Sequence, residues 1–390
     1  MNQIGPFVGS WKMKNKPTVV QMLPALNSGG VERGTVDLSL ALVKNGFRSI
    51  VISSGGRLNK ELSEHGAEHV NWDVGKKSLF SFRYVLSVRN FLLREKVDIL
   101  HLRSRLPAWI GYLAWLSLPR SQRPILVTTV HGPYSVNRYS EIMTKGEVVI
   151  AVSNTIKKYV IENYKDVKEP DVSVIYRGID TGKFFPGYIP NTTWIDKFEK
   201  DFPGCKDKKL ILFPGRITRW KGHLEFVALI DGLKKRGLNI HGLVVGGFDS
   251  NRNEFFNEVQ NKVRLMNLED DITFTGDRSD IREFMAVSSI VTSLASTQEA
   301  FGRTVMEALS LGVPVVAYAH GGVKEQLDAL FPYGAVDPGD LSQAVELIVD
   351  LLLEPQKVEQ NNEFTLIKMT SSTLSLYQRL LQKRNSQEVR

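Results

Sequence analysis

The chain of 390 residues has a single cysteine, Cys205, so it can form no internal disulfide and no cysteine-based zinc site. That usage fits a reducing cytoplasm. No apolar run approaches the ~18 residues needed to span a bilayer. The longest, Leu106 to Leu118, is interrupted by Pro107 and Gly111. Met1 to Lys16 lacks the apolar stretch of a secretory signal. There is no Asp-x-Asp and no Gly-x-Gly-x-x-Gly. The first absence removes the usual carboxylate pair that holds a nucleotide diphosphate through Mg²⁺ or Mn²⁺. The second leaves a dinucleotide site with little support. No short repeat and no low-complexity segment is present.

Positive charge is abundant and uneven. Residues 1–185 hold 26 Lys+Arg against 15 Asp+Glu, and the remainder 24 against 27, for a net charge of +8. A basic first half suits an anionic partner, although a solvated surface with incidental bias would look the same. Lys76 to Lys96 mixes Phe80, Phe82, Tyr84 and Phe91 with Lys76, Lys77, Arg83, Arg89 and Arg94. Such a segment can lie on anionic lipid, or simply form the outer layer of an α/β domain.

Short apolar stretches bounded by turn residues alternate with amphipathic stretches, which predicts parallel βαβ units. Strands are expected at Thr18–Leu23, Arg48–Ser53, His69–Trp72, Asp98–His101, Pro124–Thr129, Val148–Val152 and Val172–Ile175. The pattern restarts at Lys209–Phe213 and continues through Gly242–Gly247, Ile272–Gly276, Ile290–Ser293 and Val313–Ala317. Two doubly wound α/β domains follow, residues 1–185 and 186–363. The polar, proline-bearing stretch Gly178 to Lys208 holds the boundary. A helical tail over 364–390 is expected to pack back on the first domain.

Several motifs sit where ligands gather in such sheets, beyond the strand ends. Gly29-Gly30 follows the first strand and lets backbone approach a ligand, or makes a tight turn. Gly215-Arg216-Ile217-Thr218-Arg219-Trp220-Lys221-Gly222 follows the first strand of the second domain. Arg216 and Lys221 can neutralise a diphosphate, one as a fork and one as a point charge. Glu299-Ala300-Phe301-Gly302-Arg303 leads into a helix that carries Glu307. A helix start favours an anion, and carboxylates accept from sugar hydroxyls. His131 closes a strand, a place where a histidine is often structural.

The Gly215–Lys221 loop, the Thr275-Gly276 strand exit and the Glu299–Glu307 motif resemble those of the retaining glycosyltransferases of family 4. The resemblance covers nearly the whole chain. It implies two Rossmann-like domains facing across a cleft, the GT-B fold, with acceptor bound by the first and donor nucleotide by the second. It implies that Arg216 and Lys221 bind the donor diphosphate and that Glu299 contacts the donor sugar. Backbone at Phe301 and Gly302, with Arg303 beside it, faces the sugar and phosphate, Glu307 holds the ribose, and His131 lies by the leaving phosphate. Gly29, Gly30, Gly246, Gly247, Asp277 and Arg278 complete the expected donor site. No metal or other cofactor is expected.

The stretches Leu23–Gly34, Arg103–Trp109 and His131–Tyr139 are similar to lipopolysaccharide-core transferases that act on the acid sugar Kdo. That implies GDP-mannose as the favoured donor and an anionic lipid-linked saccharide as acceptor. Arg33, Arg103, Arg105, Tyr134 and Arg138 are its expected contacts. The setting is cytoplasmic, with attachment to the inner face of the membrane left open. UDP-glucose or UDP-N-acetylglucosamine with another glycan, a sugar-nucleotide epimerase or phosphorylase of the same fold, and a non-catalytic sensor remain alternatives. Nucleic-acid binding has no recognisable motif behind it.

Overall fold

The computed structural model describes residues 16–27, 29–248 and 253–388. The expectation about the N-terminal stretch falls mostly on residues 1–15, outside the described residues. Ser28, within the Leu23–Gly34 stretch, also lies outside them.

Two all-parallel sheets form. The first has β1 (Thr18–Met22), β2 (Arg48–Ser53), β3 (Glu68–Asn71), β4 (Ile99–Leu102), β5 (Ile125–Val130), β6 (Val148–Ala151) and β7 (Val172–Val174). Their order is β3-β2-β1-β4-β5-β6-β7. The second has β8 (Lys209–Pro214), β9 (Ile240–Val245), β10 (Ile272–Gly276), β11 (Ile290–Ser293), β12 (Val315–Tyr318) and β13 (Ala335–Val336). Their order is β10-β9-β8-β11-β12-β13. In each sheet the order reverses beside the first strand, which is the doubly wound arrangement. Burial is continuous along β1, β4, β5 and β9, as in strands covered on both faces, and takes in polar residues such as Gln21, His101 and His241.

By compactness the chain divides into two units. The first comprises residues 1–129, 136–149 and 373–390, and the second residues 130–135 and 150–372. Residues 150–185, placed with the first domain by the sequence pattern, thus group with the second unit. So does the turn that carries His131.

A buried polar cluster lies in the first unit. The Gln21 side chain donates to Ser39 Oγ at 2.8 Å and accepts from Arg103 Nη1 at 2.9 Å. His101 joins Thr129 Oγ1 and the Tyr377 hydroxyl, each at 2.6 Å. Tyr377 belongs to the final helix, Leu366–Glu388, and is fully buried. Its hydroxyl and the imidazole satisfy one another, as buried polar groups must.

In the second unit, the stretch expected to be a polar boundary contains a helix, Thr192–Asp201. Trp194, Phe198 and Phe202 recur every four residues and stack in series on Phe284. Trp194 Nε1 donates to Asp280 at 2.7 Å. The aromatic stripe, spaced for one helix face, outweighs the polar composition around it.

Candidate active site

The site grows from strand exits at the carboxyl edge of the second sheet. Gly215, at φ +145°, leaves β8 in a conformation that favours glycine. The loop then lies along the next exit: Gly215 N–H donates to Val245 O and Ile217 N–H to Gly247 O, both at 2.9 Å. A Cβ on Gly246 would sit 2.0 Å from Gly215 O, so that position admits only glycine. On the other side, Ser296 N–H donates to the Trp220 carbonyl at 2.8 Å. Three strand exits are thereby fixed to one another by backbone alone.

Two acid–base pairs occupy this edge. Lys221 Nζ lies 2.8 Å from Glu299 Oε1, with both side chains mostly buried. The ammonium also sits 4.5 Å from the centre of the Trp220 ring. Arg303 Nε donates to Glu307 Oε1 at 2.8 Å across one turn of the helix Arg303–Ser310. Glu307 is buried, and burial raises its pKa above the ordinary carboxylate range against the pull of Arg303. Arg216 is exposed on the adjoining loop, with no ion pair among the described residues. Lys221 is thus paired with Glu299, a partner the sequence pattern did not show, while Arg216 is exposed on the same loop.

Gly302 caps the helix at φ +83° and ψ 62°, as the motif requires. Phe301 is buried, and its carbonyl accepts from the Gln326 side chain. The helix Gly321–Leu330 presses against this loop, with Gly322 N–H donating to Glu299 O at 2.8 Å. Cβ atoms at Gly321 and Gly322 would stand 2.5 Å from the Glu299 and Ala300 carbonyls. Sequence reading missed these two glycines and Gln326. The Gly-Gly pair after β12 was the available signal. Asp277 is exposed beside Gly247, while Arg278 is held by Asp280 at 2.7 Å.

His131 is half-buried, and its backbone N–H donates to the Tyr134 hydroxyl at 3.3 Å. In the first unit, Gly29 caps the helix Gly30–Lys44 from extended backbone, and space is open around Gly30. Arg138 is exposed at the start of its short helix. Arg105 bonds Ser140 Oγ at 3.3 Å and lies over the Tyr139 ring.

One expected acceptor contact is corrected. Arg103 is buried at 2% exposure and bonds Gln21 inside the fold, and burial lowers its pKa to about 10. Arg33 is committed to Glu61 through two bonds of 2.6 Å and to Asp37 through one of 2.7 Å. Arg103 follows its strand as expected, but the fold turns its charge inward, whereas Arg33 is part-exposed on the helix Gly30–Lys44.

The chain matches two family models in succession: Glycosyltransferase Family 4 over residues 28–183 and Glycosyl transferases group 1 over 195–365. It is 31% identical to a glycosyltransferase of Rickettsia africae, with a TM-score of 0.81 over 94% of this chain and 99% of that one. It is 26% identical to N-acetyl-alpha-D-glucosaminyl L-malate synthase of Bacillus anthracis, over 87% of this chain and 89% of the relative. Anabaena Alr3699/HepE, solved with UDP and glucose, shares the fold at 18% identity and a TM-score of 0.75, covering 92% of this chain and 98% of that one. The chain therefore belongs to the glycosyltransferases of GT-B fold, with a family 4 first half and a group 1 second half.

Proposed function

We propose that the chain moves a hexose, mannose by preference, from a nucleoside-diphosphate sugar to an anionic, lipid-linked saccharide. Anomeric configuration is retained and no metal takes part. The observation that carries this reading is the Lys221–Glu299 pair, 2.8 Å apart beside the exposed Arg216. Glu299 orients the sugar through its hydroxyls. Lys221, Arg216 and the backbone at Gly302 take up charge on the departing diphosphate, which is where such groups accelerate transfer. The acceptor oxygen bonds to the anomeric carbon on the face the phosphate leaves. Its proton passes to the departing phosphate oxygen as the sugar–phosphate bond breaks.

An anionic acceptor is supported by the basic first half and by exposed Arg138. The Bacillus anthracis relative, a synthase of N-acetyl-alpha-D-glucosaminyl L-malate, lends the same support. Placement at a membrane is supported by Phe80 and Leu86, 80% and 67% exposed, beside exposed Lys76, Lys77 and Arg83. No helix among the described residues is long and apolar enough to cross a membrane.

A melting-temperature screen with GDP-mannose, UDP-glucose and UDP-N-acetylglucosamine tests the donor, since a ligand of the native state raises Tm by mass action. GDP-mannose should give the largest shift. Release of GDP in the presence of a Kdo-bearing lipid acceptor and excess EDTA tests the rest. No shift with any donor, or release abolished by EDTA, would remove the corresponding part.

A further inference from the structure

We propose that Glu325 is a positioning residue that holds the His131 turn in register with the Glu299 loop. This rests on the reading above, in which both serve one donor sugar. Glu325 lies on the helix Gly321–Leu330, whose first turns are bonded to the 299–301 loop through Gly322 and Gln326. Helix and loop therefore move as one body.

The Glu325 carboxylate accepts four hydrogen bonds. Oε1 takes the Thr155 N–H and hydroxyl, each at 2.7 Å. Oε2 takes the Asn154 N–H at 3.0 Å and the Tyr176 hydroxyl at 2.7 Å. Asn154 and Thr155 open the helix Asn154–Asn163, so the carboxylate satisfies amide groups that helix cannot pair internally. Its charge also complements the positive helix end and strengthens each bond. Burial raises the Tyr176 pKa, keeping the phenol a donor. Four bonds use nearly the full acceptor capacity of a carboxylate.

The same helix carries Tyr159, whose hydroxyl donates to the Tyr134 carbonyl. The Tyr134 hydroxyl in turn accepts from His131 N–H. An unbroken series of bonds thus runs from the Glu299 loop through Glu325 and Tyr159 to His131, all within the second unit. Residues 130–135 belong to that unit too.

The test uses the full chain and whichever of GDP-mannose, UDP-glucose and UDP-N-acetylglucosamine raises its Tm. Glu325→Gln, Tyr159→Phe and the double variant are compared by kcat, donor KM, affinity for the product GDP or UDP, and Tm. The single changes should each lower kcat about tenfold, the scale of a modest misplacement. Product affinity should stay within about twofold, because neither residue touches the diphosphate groups. The double variant should lose less than the product of the single losses, since both act on one series. Glu325→Asp should recover part of the kcat. Lower Tm with unchanged kcat in Glu325→Gln, or fully multiplicative losses, would overturn the proposal. Should Glu325→Gln fail to fold, Tyr159→Phe with unchanged kcat would overturn it alone. His131→Asn separates the two readings. If it is inactive while Glu325→Gln is not, only the positioning role falls. If it turns over normally, the reading of His131 falls and takes this proposal with it.

Discussion

Lys221 and Glu299 neutralise each other across 78 residues of chain, at 2.8 Å and largely out of water. A pair so placed keeps each charge from being buried alone, and on the proposed reading it also presents both to a sugar diphosphate. Lys221→Ala removes a cation from the leaving group and should cut kcat ~10²–10³-fold. Glu299→Ala should lower kcat in the same direction, through loss of sugar orientation. The double variant should be little worse than either single one, because each single change already breaks the unit. Steady-state release of nucleoside diphosphate measures all three. Full turnover by either single variant would refute the assignment.

Arg103 gives a prediction of the opposite kind. Its guanidinium is buried and bonded to Gln21, so its removal should cost stability and spare chemistry. Arg103→Ala leaves a buried carbonyl oxygen without its donor and opens a void. A loss of about 2–4 kcal/mol is expected. Urea unfolding should show an earlier midpoint, with acceptor KM unchanged for the folded enzyme. A raised KM with an unchanged midpoint would restore Arg103 to the acceptor site.

That case marks where sequence reading stops. Strand periodicity placed nearly every strand within two residues, because apolar runs between turn residues respond to burial alone. Glycine placement was legible too, since Gly215 and Gly302 adopt positive φ that other residues resist. What could not be read was which charges face one another. Arg103 sits at a strand exit like Arg216, yet of the two only Arg216 looks outward. The difference lies in Gln21, supplied by a remote segment. The helix Thr192–Asp201 was hidden by its polar composition, and Glu325 by a separation of 170 residues from Thr155.

His223 predicts an acid sensitivity located behind the donor loop. Its ring lies 4.6 Å from Phe213, and burial pushes its pKa down to about 4. Backbone at Thr218 and Gly215 opposes that shift, and Lys221 adds to it. A lowered folded pKa means that the unfolded chain takes up the proton first. The contribution to stability is thus complete above about pH 6.5 and lost as pH falls towards 4. The full difference is about 3 kcal/mol. His223→Leu should flatten the decline of the urea midpoint over that window. His241, also pushed to about 4 by burial, should leave a residual slope of the same sign.

Gly302 tests whether the motif glycine is there for backbone conformation. At φ +83°, an alanine would pay about 1–2 kcal/mol for the left-handed region. Its Cβ would also stand 2.6 Å from Val323 Cγ2, on the helix that braces the Glu299 loop. Gly302→Ala should therefore lower both the urea midpoint and kcat, since relief of the contact must displace either the loop or that helix. Gly237→Ala supplies the comparison: φ is +75°, and nothing lies within 4 Å of the added Cβ. It should carry the conformational cost alone and keep wild-type kcat. Equal kcat losses in the two variants would mean that strain anywhere in the unit slows transfer. A loss confined to Gly302→Ala would tie the rate to the position of the loop between Glu299 and the helix it opens.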